Sequence, residues 1–324
     1  MIRWGIIGVG DVTEVKSGPG FQRARGSALV AVMRRDAARA KDYAQRHKVP
    51  RWYDDAEALV HDPEVDAVYI ATPPHVHKEY TLMAAKAGKA VYVEKPMALT
   101  YADCQEMIAA CDAHHVSLWV AYYRRMLPRF LKVKALLDDG AIGAVRSVQT
   151  RYYRHPPPLD PDNLPWRYQP EISGGGIFVD FGPHLLDLLD YFIAPIREVS
   201  GFAVNQGGYY RAEDHVTASF CFENGVLGSG VWCFNSWEES DSTEIIGTQG
   251  KIVFAVSGDH PIHLFTDSGE QHFIIDHPPH VQQPLIQSIV DEMNGKSICP
   301  SSATSGARTT WVIDHILAAY RSKI

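Results

Sequence analysis

Over about the first 120 residues, short apolar runs alternate with longer helix-like stretches. The runs "IRWGIIGVG", "ALVAVMRR", "DAVYIATPP", "AVYVEKP" and "VSLWVAYYRR" are bounded by Gly, Pro or charge and read as strands. Between them, "DAARAKDYAQRH" reads as a helix with Asp36 at its N-cap, and "HKEYTLMAAKAG" as a helix ended by Gly88. "TYADCQEMIAACDAHH" reads as a third, capped by Thr100. Strands alternating with helices predict a parallel, doubly wound sheet.

From about residue 143 the pattern changes to period two, in "GAVRSVQTRYYRH", "REVSGFAVNQGG", "HVTASFCFENGVLGSGVWCF", "STEIIGTQGKIVFAV", "PIHLFTD" and "QHFIID". Asn224-Gly225 between two of these runs is a hairpin signal. Few helices separate them, so the second sheet is expected to be mainly antiparallel, with one face on helices and the other available for subunit contact. Helices around 284–294 and 301–322 close the chain. The fold class is thus α/β plus α+β. A first, parallel-sheet domain over 1–121 precedes a second, α+β domain over 122–324, and the C-terminal helix is a candidate to pack back on the first domain. The proline-rich stretch 155–166, "HPPPLDPDNLPW", suits a loop or lid.

Composition narrows the function classes. The chain has 324 residues, 46% hydrophobic and 21% charged, which suits a globular protein with two cores. No run is long and apolar enough to span a bilayer, so no membrane partner is expected. No charged-then-apolar leader precedes the first strand, which predicts a cytoplasmic location. The five cysteines, at 104, 111, 221, 233 and 299, have no zinc spacing and read as reduced thiols. A net charge of −7 without basic clusters argues against a nucleic-acid partner.

Gly8 and Gly10 follow the first strand and open a helix-like segment. That order fits the strand-turn-helix of a Rossmann domain, with the backbone near Asp11 and Val12 facing a pyrophosphate. Thr13 stands where a third small residue is usual; it predicts slightly wider packing, or a hydroxyl for a phosphate. Gly18, Pro19 and Gly20 are expected to interrupt this helix, with Lys16 near the cleft between the domains. The second strand ends in Arg34 and Arg35, where an acidic residue would bind the ribose of NAD. Arginine there can clamp a 2′-phosphate, so NADP is preferred over NAD.

Four motifs occur together and in order: the early G-x-G, "ATPPHVH", Glu94-Lys95-Pro96 and "GGGIFVDFGPH". The set resembles the glucose-fructose oxidoreductase / inositol dehydrogenase / rhizopine catabolism family over nearly the whole chain. The resemblance implies hydride transfer between a nicotinamide and a hydroxyl or carbonyl carbon of a sugar, polyol or related compound. It places Lys95 near nicotinamide and substrate, and makes Asp180 and His184 a catalytic pair in which the histidine takes the hydroxyl proton. It lines the cofactor with Thr72, Pro73, Pro74, His77 and Glu94, with Pro74 replacing the family's usual asparagine. It brings Tyr123 and Arg124 toward the substrate, and implies a homodimer or homotetramer built through the C-terminal sheet.

The residue types suit this chemistry. Oxidising an alcohol needs a base within hydrogen-bond reach of the hydroxyl, and residues four apart share a helix face. Pro183 leaves two possibilities, a helix bent at that point or one that starts there. Trp166 and Arg167 could offer a flat face and a fork of donors to a hydroxylated ring. His75 and His77 lack an evident third ligand, so no metal is expected. Other readings on the same architecture are a dihydrodiol dehydrogenase-like or biliverdin reductase-like enzyme, and a non-catalytic nucleotide-sensing regulator.

Overall fold

The computed structural model describes residues 1–156 and 158–323. Pro157, inside the expected proline-rich loop, lies outside the described residues. The chain forms two compact units: Met1–Leu127 with Pro278–Ala307, and Pro128–His277 with Arg308–Ile324.

The first unit is built on six strands: β1 (Ile2–Ile7), β2 (Ser27–Met33), β3 (Arg51–Tyr53), β4 (Ala67–Ile70), β5 (Ala90–Val93) and β6 (Leu118–Val120). They pair in parallel in the order β3-β2-β1-β4-β5-β6, the doubly wound order whose switch point lies between β1 and β4. All four residues of β4 are buried, as expected of a strand covered on both faces. The helices are α1 (Asp11–Val15), α2 (Gly18–Arg23), α3 (Ala37–Arg46), α4 (Ala56–Val60), α5 (His77–Lys86) and α6 (Tyr101–Ala113). Asp36 caps α3 and Thr100 caps α6, each accepting a backbone N–H with its side chain. Gly88, at φ +71°, follows the end of α5. β3, at three residues, and α4, at five, are too short to carry a period.

The second unit opens with α7 (Pro128–Asp138) and β7 (Val145–Tyr153), followed by α8 (Pro170–Ser173) and α9 (Ile177–Phe192). The remaining strands are β8 (Ile196–Val204), β9 (His215–Phe222), β10 (Leu227–Cys233), β11 (Ser240–Gly247), β12 (Gly250–Phe254), β13 (Ile262–Thr266) and β14 (Gly269–Phe273). The sheet order is β14-β13-β12-β11-β7-β10-β9-β8; every pair is antiparallel except β7 with β10. Val216, Ala218, Phe220 and Phe222 alternate along β9 and are buried. The same core takes Phe178 of α9 against Trp232, and Phe192 against Phe254. Asn224-Gly225 turns β9 into β10, with Gly225 at φ +83°.

After residue 277 the chain contributes again to the first unit. There α10 (Gln283–Met293) packs on α2. The segment before α11 (Ala303–Arg321) lies along β6, where the Ser301 hydroxyl donates to the Val120 carbonyl at 2.7 Å.

Candidate active site

In the first unit the candidate residues gather at the carboxyl ends of β1, β2, β4 and β5. Gly8 has φ +93°, and a Cβ there would lie 2.6 Å from Thr72 Cγ2 and 3.0 Å from the Thr72 nitrogen. Only glycine lets the turn after β1 lie against the turn after β4. The N–H groups of Gly8 and Val9 both donate to the Met33 carbonyl, at 2.9 and 3.1 Å, which ties the turn to the end of β2. Arg34 Nη1 donates to the Val9 carbonyl at 3.1 Å and lies 3.8 Å from where a Gly10 Cβ would stand. Gly8, Gly10, Thr72 and Arg34 therefore surround one loop. Arg35 is exposed beside them, and Asp11 and Val12 open α1.

Thr13 does something other than expected. It is fully buried; its hydroxyl donates to the Gly10 carbonyl at 2.8 Å and accepts the Gly10 N–H at 3.0 Å. That hydroxyl braces the loop and is not aimed at a phosphate. The helix break also falls earlier than expected, at Lys16 and Ser17, and Gly18-Pro19-Gly20 begin α2. A Cβ at Gly18 would meet the Thr13 carbonyl at 2.2 Å and the Tyr43 hydroxyl at 2.3 Å. A Cβ at Gly20 would meet Ile286 of α10 at 3.0 Å. These glycines serve close packing, and Gly18 supplies the tight approach that Thr13 cannot. The carbonyls left open by the break accept from the later segment: the Val15 oxygen lies 2.7 Å from His280 Nδ1, and the Lys16 oxygen takes the Gln282 N–H at 3.1 Å.

His77 is fully buried, with Nε2 2.8 Å from the Thr72 carbonyl and Nδ1 3.0 Å from the Pro96 carbonyl. Burial pushes its pKa below the usual histidine range, against the pull of the two carbonyls. It joins the turn after β4 to the turn after β5 and so positions the Thr72-Pro73-Pro74 stretch. Glu94 also points inward: Oε1 accepts the Tyr69 hydroxyl at 2.5 Å and Gln282 Nε2 at 2.6 Å, and Oε2 accepts the Lys95 N–H at 3.1 Å. Tyr92 donates to Gln282 Oε1 at 2.9 Å and closes the network. Burial raises both phenols well above the ordinary tyrosine range. Lys95, half-buried, thus stands on a fully paired carboxylate. Tyr123 is buried, and its hydroxyl accepts Arg124 Nη1 at 3.1 Å. His280 and Gln282 carried no motif, and Tyr69 and Tyr92 read only as strand residues.

In the second unit, α9 runs unbroken from Ile177 to Phe192 with Pro183 inside it. The helix therefore does not start at Pro183. It sets Asp180 and His184 one turn apart on one face. Gly182 gives way to a ring, since a Cβ there would lie 2.7 Å from Phe178. His184 is buried and Asp180 half-buried. Arg167 Nε lies 3.3 Å from Asp180 Oδ2, and its guanidinium sits 4.4 Å from the centre of the Trp166 ring. Trp166, Arg167, Asp180 and His184 therefore form one group, with Arg167 directed at the carboxylate. Sequence reasoning missed Glu213, which is 1% exposed and accepts the Gly176 N–H at 2.7 Å where α9 begins. Its burial raises the carboxyl to about 7.

Two family models cover most of the chain: residues 2–122 match an oxidoreductase family with an NAD-binding Rossmann fold, and residues 130–253 match the GFO/IDH/MocA C-terminal domain. The chain belongs to the GFO/IDH/MocA oxidoreductase family. Within that family it is 38% identical to oxidoreductase P35 of Formosa agariphila over 97% of both chains. It is 31% identical to 1,5-anhydro-D-fructose reductase of Ensifer adhaerens over 78% of this chain and 75% of the relative. Its fold matches the aldose-aldose oxidoreductase of Caulobacter crescentus complexed with glycerol at a TM-score of 0.87, with 23% identity over 100% of this chain and 98% of the other.

Proposed function

We propose that this family member transfers a hydride between NADP(H) and a hydroxyl or carbonyl carbon of a sugar, polyol or anhydro-sugar. The observation that carries the reading is the unbroken α9, which keeps Asp180 and His184 on one face with Arg167 on the carboxylate. The anhydro-sugar reductase among its relatives supports the substrate class.

The cofactor supplies the hydride acceptor or donor. The chain's own groups hold it and move the proton. The Gly8–Gly10 turn, which carries no Cβ at either glycine, would hold the pyrophosphate with its backbone. Arg34 and Arg35 would hold the ribose 2′-phosphate. Asp36, the next acidic residue along the chain, accepts the Arg39 N–H at 3.1 Å as the cap of α3, which supports NADP over NAD. Lys95 steadies the substrate oxygen as it gains negative charge. His184 takes the hydroxyl proton during oxidation and returns it during reduction, with Asp180 orienting the ring. Phe202 and Leu227, 79% and 61% exposed on the open sheet, support self-association through that face.

The test is a panel of sugars, polyols and anhydro-sugars with NADP or NAD, followed by absorbance of the reduced cofactor. Turnover with higher kcat/KM for NADP is expected. A clear NAD preference overturns the reading of Arg34 and Arg35, and cofactor binding without turnover across the panel turns the reading toward a nucleotide sensor.

A further inference from the structure

The hairpin at the end of the second sheet carries a cluster that the proposed chemistry leaves unused. His263 of β13 lies directly opposite His272 of β14, and Glu270 is two residues before His272. Side chains two apart on a strand share a face, and residues directly opposite share it too. The register therefore places His263, Glu270 and His272 on one face, away from the buried Ile262 and Leu264.

The three side chains converge. His263 Nδ1 lies 2.9 Å from His272 Nδ1 and 3.1 Å from Glu270 Oε1, and one ligand atom from each residue falls within 4.8 Å of the others. Donor atoms on a tetrahedral zinc with bonds of about 2.0–2.1 Å stand about 3.3 Å apart, so small adjustments would admit an ion. His272 Nε2 also lies 3.5 Å from Glu270 Oε1, but the proton at His263 Nδ1 serves this arrangement poorly. A single ring nitrogen carries either one hydrogen or one lone pair. If His263 Nδ1 accepts from His272, its lone pair faces the carboxylate. If it is protonated, one hydrogen is shared between two acceptors. A cation takes a lone pair from all three residues at once.

We propose that His263, Glu270 and His272 bind a borderline divalent transition ion, and that Zn²⁺ is the ion their ligand chemistry fits. Two imidazoles and a carboxylate suit zinc, whereas magnesium and calcium favour all-oxygen sets. All three side chains are solvent-accessible, at 33%, 41% and 52%, so water completes the coordination. The ion links β13 to β14. The first four residues of β14 are all exposed, so the strand has few apolar contacts of its own, and the link holds the sheet's edge.

The experiment is a calorimetric titration of the chelator-treated full chain with ZnCl₂. One saturable site per chain is expected. His263→Ala and His272→Ala should each weaken it by at least about tenfold, and Glu270→Gln, which keeps the side-chain volume, should weaken it measurably. Circular dichroism and turnover should stay at the unmodified protein's level, because none of these residues is placed in the catalytic or cofactor machinery. Absence of saturable binding overturns the proposal, as does unchanged affinity in the His263→Ala/His272→Ala double variant.

Discussion

Arg167 holds Asp180 at 3.3 Å while its guanidinium lies over Trp166, so the residue expected to grip a substrate ring is committed first to the carboxylate. Both partners are partly exposed, and such a pair contributes only about 0–1 kcal/mol to stability. Arg167→Ala should therefore leave the thermal midpoint nearly unchanged and lower kcat/KM by about tenfold. Arg167→Lys should recover only part, because an ammonium lacks the planar stacking on Trp166. Steady-state kinetics beside a melting curve separates the two effects.

Lys95→Ala should lower kcat by about 10²–10³, the usual cost of removing one donor from a developing oxyanion. Cofactor affinity, measured by fluorescence titration, should change far less. Unchanged turnover with a confirmed substrate would remove Lys95 from the mechanism.

Replacing Arg34 and Arg35 together with alanine should reduce kcat/KM for NADP by about tenfold or more, while NAD loses little. The ratio of the two is the decisive readout. Arg34 also braces the Val9 carbonyl, so a general loss with both cofactors would show that bracing dominates.

Glu213 should make stability fall as pH rises. Burial lifts its carboxyl to about 7 from an ordinary value of 4.5; the Gly176 N–H and Arg321 oppose the rise, while Asp214 adds to it. The phenols of Tyr210 and Tyr320 also face it, and their own pKa values are raised partly by its charge. Between about pH 4.5 and 7 the folded state keeps a proton that the unfolded chain has lost, so stability declines through that window by up to about 3 kcal/mol. Urea unfolding at pH 5 and 7.5 checks this. Glu213→Gln should flatten the difference, since its amide does not titrate.

Gly18→Ala should destabilise the first unit by about 1–3 kcal/mol, as overpacking does. The added methyl would meet the Thr13 carbonyl and the Tyr43 hydroxyl. Combining it with Tyr43→Phe should recover part of the loss in thermal melts.

Long periodic elements were legible. The alternation of β1, β2, β4 and β5 with α3, α5 and α6 announced a parallel sheet, and Asp36 and Thr100 marked helix starts. The hairpin at Asn224-Gly225 was equally plain. Contacts made over long separations were not. Nothing near His77 says that its ring bridges two carbonyls, and nothing near Gln282 says that it meets Glu94 across 188 positions. The zinc-like cluster depends on strand register: His263 and Glu270 are seven residues apart, a spacing with no meaning until the hairpin is paired. The Thr13 hydroxyl spends its hydrogen on the Gly10 carbonyl, a local partner that the glycine spacing does not reveal.

The broken helix after the glycine turn has a consequence for the order of synthesis. Val15 and Lys16 present carbonyls whose partners, His280 and Gln282, emerge from the ribosome only after the whole intervening sheet has been made. Gln282 also brings the amide that meets Glu94. A nascent chain that has reached residue 277 lacks these partners, however complete its parallel sheet. The nucleotide-holding half is thus the first to be started, yet it is completed only after most of the second unit has been made.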